Sequence, residues 1–143
     1  MINWTHIEEE FCEGTFKSAF FRDDEGGDIL QIGAKSHDLA DCAEKCVEAF
    51  NALTQAEITE ICDKIIECIK EDGLDDGFEL PENSVDILES CWFTMLYVNM
   101  LSHDDNVAFV VEGEGDWGEV IGFAYDNGKL VYVGTDYFSC MKG

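Results

Sequence analysis

Apolar residues along this chain change their spacing twice, and each change marks a new kind of element. In residues 1–36 they alternate. Phe16, Ser18 and Phe20 fall on one face of an expected strand, Ala19 and Phe21 on the other, and Ile29, Leu30, Ile32 and Ala34 form a second strand. Between them lies Asp23-Asp24-Glu25-Gly26-Gly27-Asp28, whose glycines supply positive φ at low cost, so the segment reads as a β-hairpin. Residues 38–71 switch to the helical period. Leu39, Ala43, Cys46, Val47 and Phe50 make one apolar stripe behind an Asp38 N-cap. Ile58, Ile61, Cys62, Ile65 and Ile69 make a second, with Thr54 and Glu57 spaced as a capping box and Gly73 as a stop.

Residues 72–83 then read as an acidic loop, after which Ser84 caps a short helical turn through Ile87 and Leu88. Cys91 to Leu101 reads as a strand buried on both sides, with Trp92 in the core. The last third returns to alternation: a strand at Val107–Val111, a turn cluster at Glu112–Gly118, a strand at Glu119–Tyr125, an Asp126-Asn127-Gly128 hairpin and its partner strand at Leu130–Val133. This order implies one α+β domain over residues 1–143. Its mostly antiparallel sheet, an N-terminal hairpin plus a C-terminal meander, carries two main helices packed on one face.

Charge narrows the function. The 143 residues hold 8 Lys and Arg against 32 Asp and Glu, a formal net charge of −24. Nucleic-acid binding needs basic side chains that displace counterions from phosphates, and anionic membranes make the same demand, so both partners are excluded as expectations. Ten Phe, four Tyr and three Trp supply a core and set the chain apart from disordered acidic tails. Met1 to Glu13 has neither a basic nor an apolar leader pattern, and seven cysteines fit a reducing compartment, so a cytoplasmic location is expected. The acids are unevenly spread. Residues 37–90 hold sixteen acids and three bases, more than half of the net charge.

Candidate chemistry is sparse. Anchored at Asp72, a calcium loop would need oxygen ligands at Leu74 and Asn83, so a solvated acidic loop is the better reading. Glu112, Glu114, Asp116 and Glu119 alternate with glycines and could collect a divalent ion, but no His accompanies them. Cys42 and Cys46, four apart in an apolar stripe, and Cys62 and Cys68 on the second helix read as small buried hydrophobes rather than zinc ligands. His6, His37 and His103 stand outside any nucleophile motif, and a pairing with Cys12, Cys91 or Cys140 is not visible in spacing. No cofactor is expected.

Gly115-Asp116-Trp117-Gly118-Glu119, a strand, and Asn127-Gly128-Lys129-Leu130-Val131-Tyr132-Val133-Gly134 resemble the ends of small acidic bacterial proteins of unknown function, over roughly residues 91–134. Size and acidity are similar to those of immunity proteins of polymorphic and contact-dependent toxin systems. The Pro-Glu-His expected after the Asp-Trp pair in the former proteins is missing, so no side-chain role carries over. The resemblance implies a non-enzymatic immunity protein, and the acidity implies that the toxin domain it inhibits is basic, such as a nuclease, because an acidic face can occupy a cationic substrate groove. The expected partner-binding residues are Glu60, Asp63, Glu67, Asp72, Asp75 and Asp76, with Trp117 as an aromatic anchor. A divalent-cation-binding or regulatory domain, or a small enzyme using Cys or paired carboxylates, is the alternative; the oligomeric state stays open.

Overall fold

A computed structural model describes residues 2–7, 12–23, 25–34, 40–72, 81–98, 108–116, 120–126 and 128–135. Among them are strands β1 (Ile2–Ile7), β2 (Cys12–Lys17) and β3 (Ile29–Ala34), helices α1 (Ala40–Asn51) and α2 (Gln55–Asp72), and a 3-10 helix (Ser84–Glu89). Strands β4 (Cys91–Val98), β5 (Ala108–Gly115), β6 (Val120–Asp126) and β7 (Lys129–Gly134) complete the order. The seven strands form one sheet in sequence order, β1 to β7. Every neighbouring pair is antiparallel except β3 and β4, which run parallel. A parallel pair needs a long crossover, and the helical residues between β3 and β4 supply it. The fold is therefore α+β with a mostly antiparallel sheet.

Both helices form where the apolar stripes put them. Ala43, Cys46, Val47 and Phe50 of α1 are buried, as are Ile58, Ile61, Cys62, Ile65 and Ile69 of α2. The capping box is present: the Thr54 N–H donates to Glu57 Oε1 at 3.1 Å, and the Glu57 N–H donates to Thr54 Oγ1 at 3.2 Å. Two orphan donors of the first turn are thereby satisfied. Asp38, Leu39 and Gly73 lie outside the described residues.

The helical stripes share one apolar cluster with alternate residues of the strands, from Ile2 to Tyr125. Phe50 of α1 sits at its centre, with ring centroids 5.7 Å from Phe16, 5.2 Å from Phe21, 6.0 Å from Phe109 and 6.5 Å from Phe123. A separate small cluster joins Val110 and Ala124, flanked by Tyr97 and Tyr132. Val110 lies between Phe109 and Val111 of the larger cluster, so β5 sends alternate side chains to the two sides of the sheet.

Several expectations are corrected. The first strand of the N-terminal hairpin ends at Lys17 rather than Phe21. Beyond it the chain turns irregularly, and Phe21 enters the core while Phe20 is partly exposed. An earlier strand, β1, pairs with β2. The turn before β3 is organised by Asp23, whose Oδ1 accepts the Gly27 N–H at 2.7 Å and the Glu25 N–H at 2.9 Å, while Gly26 takes φ +80°. β4 is buried at Cys91, Phe93, Leu96 and Val98 but only half-buried between them, so it is not two-sided, and Trp92 lies outside the core. Glu112 to Gly115 are strand, not turn. Gly113 is needed because a Cβ there would stand 2.0 Å from the Trp92 carbonyl oxygen, beside the register shift between Phe93 and Met95. Ser84 does not cap the 3-10 helix: Asn83 occupies that position without a side-chain bond, and the Ser84 hydroxyl donates to Asp63 instead. Gly128, at φ +81°, turns the β6–β7 hairpin; Asn127 is outside the described residues.

Candidate functional site

The expected binding residues Glu60, Asp63 and Glu67 come together on α2, and Glu71 extends the series. Their spacing of three, four and four residues keeps them within one narrow stripe of a helix that turns about 100° per residue. Ile58, Ile61, Ile65 and Ile69 fall about half a turn away, buried against the sheet. The carboxylates thus occupy the line farthest from the core, and all four are exposed. This is an acidic ridge along the outside of α2.

A second element widens the ridge. The 3-10 helix packs against α2, anchored by fully buried Ile87 and tied by the hydroxyl bond from Ser84 to Asp63. It carries Asp86 and Glu89, with Glu82 just before it, all exposed. Among the described residues, none of Glu60, Asp63, Glu67, Glu71, Asp86 and Glu89 has a basic side chain within ion-pair distance. Lys64 and Lys70 are the bases of α2. Asp72 is the last residue of the helix, and Asp75, Asp76 and Trp117 lie outside the described residues.

The charge reaches into the core. Burial, followed by the charges of Glu57 and Glu60, pushes the Tyr125 hydroxyl up to about 12. Burial, with Asp63 next, pushes the Cys62 thiol up to about 12. Cys91 is raised to about 12 by burial, then by Cys62 and Asp116. Thiols held protonated in this way are poor nucleophiles at neutral pH. Cys46 is also buried, and its Sγ donates to the Ala108 carbonyl at 3.3 Å. Cys42, Cys46 and Cys62 fill space, as expected of the apolar stripes, whereas Cys68 is only half-buried.

On β5, Glu112 and Glu114 share one side of the strand, as alternation requires. Glu112 accepts the Tyr97 hydroxyl at 3.0 Å, and Tyr97 is raised to about 12 by burial, the Glu112 charge, that bond and the more distant Glu13. Glu112 is thus engaged with a tyrosine, and Glu119 lies outside the described residues. Among the described residues no three His, Cys, Asp or Glu side chains are grouped to hold a metal ion. An apolar recess of about 250 Å³ places Cys91 near Phe20, Phe21, Arg22 and Leu88, with no histidine among its described lining residues. No described helix is long and apolar enough to cross a membrane.

Sequence reasoning found the α2 acids through their helical spacing. It missed Asp86 and Glu89, because only the packing of the 3-10 helix on α2 brings them to the ridge. Glu71 carried the same spacing signal, one turn beyond Glu67. Comparison with known families matches residues 3–138 to a domain of unknown function, DUF6985. No curated protein and no solved structure matches the chain.

Proposed function

We propose that this chain, which belongs to the DUF6985 family, is a non-enzymatic acidic binding protein that captures a cationic protein. In this reading it acts in the cytoplasm as an immunity protein, occupying the basic substrate groove of a toxin domain such as a nuclease. The two helices pack on one face of the sheet, so that α2 presents its outer side to the partner. The observation that carries the reading is the ridge of Glu60, Asp63, Glu67 and Glu71, continued by Asp86 and Glu89, without neutralising partners among the described residues.

Carboxylates left unpaired on a surface raise local negative potential without a stabilising return. A partner with complementary charge turns that potential into faster association, up to about 10⁸–10⁹ M⁻¹s⁻¹ at low salt. The raised thiols and the half-buried, tyrosine-bound Glu112 favour binding over catalysis by cysteine or paired carboxylates. The test is to titrate the chain into the toxin domain encoded beside its gene while following nuclease activity. Stoichiometric loss of activity is expected. An unchanged rate at excess chain, or a partner without a basic surface, would overturn the reading.

A further inference from the structure

The acidic ridge borders a groove that charge alone does not explain. The groove encloses about 320 Å³ between α2 and β7. Lys64, Glu67 and Glu71 line its helical wall, and Leu130, Val131 and Val133 line its sheet wall. Val131 is 53% exposed, and β7 is the last strand of the sheet. Two carboxylates therefore stand across a narrow channel from exposed aliphatic carbon.

The form of the edge decides how this groove is used. A regular edge strand offers a row of free N–H and C=O groups to an incoming strand. Here the β6–β7 register slips between Ala124 and Tyr125: Tyr132 faces Ala124, Leu130 faces Tyr125, and Val131 is the extra residue between them. A bulge of this kind interrupts the row and twists the edge away from pairing. Side chains, not backbone bonds, must then hold the occupant.

We infer that the groove between α2 and β7 seats an extended segment of the cationic partner in which aliphatic and basic residues alternate, aliphatic side chains against Leu130 and Val131 and basic ones against Glu67 and Glu71. The inference rests on the proposed capture of a cationic protein and gives that capture its specificity. Long-range charge selects any basic surface, whereas an aliphatic side chain entering the groove selects a sequence. Lys64, at one end of the helical wall, repels a lysine placed beside it and so favours one register of the alternating segment.

The test uses two peptides of equal charge, (Lys-Val)₄ and (Lys-Gly)₄, and amide and methyl chemical shifts of the labelled full chain. (Lys-Val)₄ is expected to bind about tenfold more tightly, the gain from burying one aliphatic side chain, and to move resonances of residues 64–71 and 129–134. Val131→Asp, at an exposed position, is expected to bring the two peptides within about threefold of each other while leaving the melting transition in place. Equal binding of the two peptides to the unaltered chain overturns the groove and leaves the acidic ridge standing. Binding of neither peptide at low salt overturns the ridge and the groove together. Contacts from the Val131 methyls to residues 136–143 before any peptide is added would make the chain's own end the occupant and overturn the inference.

Discussion

Replacing Ile65 by Ala separates the inner and outer roles of α2. Ile65 is fully buried in the stripe that joins the helix to the core. The change removes three carbons. At about 0.8 kcal/mol per buried methylene, lost transfer alone costs about 2.4 kcal/mol. Cavity formation adds to this, and such truncations fall between about 2 and 5 kcal/mol. Neighbours Ile61 and Ile69, on adjoining turns of the same helix, are also fully or almost fully buried, so little can move into the gap. A loss of about 3 kcal/mol lowers the melting temperature by about 6–12 °C in a domain of this size. Urea unfolding followed by far-ultraviolet circular dichroism measures the loss directly, with an unchanged slope showing that the unfolded state is unaltered. Glu60→Gln, on the opposite side of the same helix, should change stability by less than about 0.5 kcal/mol. A cost below about 1 kcal/mol for Ile65→Ala would refute the two-sided description of α2.

Other expectations follow from single contacts. Gly113→Ala drives a Cβ to 2.0 Å from the Trp92 carbonyl oxygen, so β4 and β5 must separate; thermal melts should show destabilisation of at least about 2 kcal/mol, and a neutral result would mean the strands adjust freely. Thr54→Ala removes the acceptor for the Glu57 N–H and should cost about 1 kcal/mol in chemical denaturation. Cys62 and Cys91 have thiols raised from 9.0 to about 12, and Tyr97 and Tyr125 hydroxyls raised from 10.0 to about 12. The folded state holds these protons more tightly than the unfolded one. Their stabilisation is therefore complete below pH 9 and is lost as pH rises towards 12. In a Tyr132→Phe, Tyr137→Phe background, tyrosine absorbance near 295 nm should rise together with the loss of circular dichroism in that window; ionisation of Tyr97 and Tyr125 well before unfolding would contradict their burial.

How far the sequence revealed this fold depends on how local each signal was. The helices were legible because one side of each meets the core and the other meets solvent, which imposes the 3.6 period on their residues. The β6–β7 hairpin was legible because its turn places Gly128 at positive φ. β1 left no such trace: at this sheet edge only Ile2 of its six residues is buried, so no alternation develops. In β2 the inward positions are Cys12, Gly14 and Phe16, and the glycine breaks the apolar pattern. It is there because a Cβ would come 2.7 Å from the Asn3 carbonyl oxygen. Gly113 misled for the same reason, since close strand approach and turns ask for the same residue. The parallel β3–β4 pairing joins residues more than fifty positions apart and leaves no local mark. The same division holds at the candidate site. The α2 ridge is a one-helix pattern and could be read directly, whereas the contribution of the 3-10 helix and the groove beside β7 exist only in the packed molecule.

Placement of charge, not its total, is what the proposed function requires. Glu60→Lys with Glu67→Lys changes the net charge by the same amount as Glu25→Lys with Glu48→Lys, and all four positions are exposed. The decisive measurement is the affinity of both double variants for the basic toxin domain that the proposed function requires, by calorimetry at low and at physiological salt. The α2 pair should weaken binding at least tenfold at low salt, about 1.4 kcal/mol, and the control pair less than about threefold. Equal losses in the two variants, or an affinity that neither variant nor salt alters, would contradict the assignment of the α2 ridge as the binding surface.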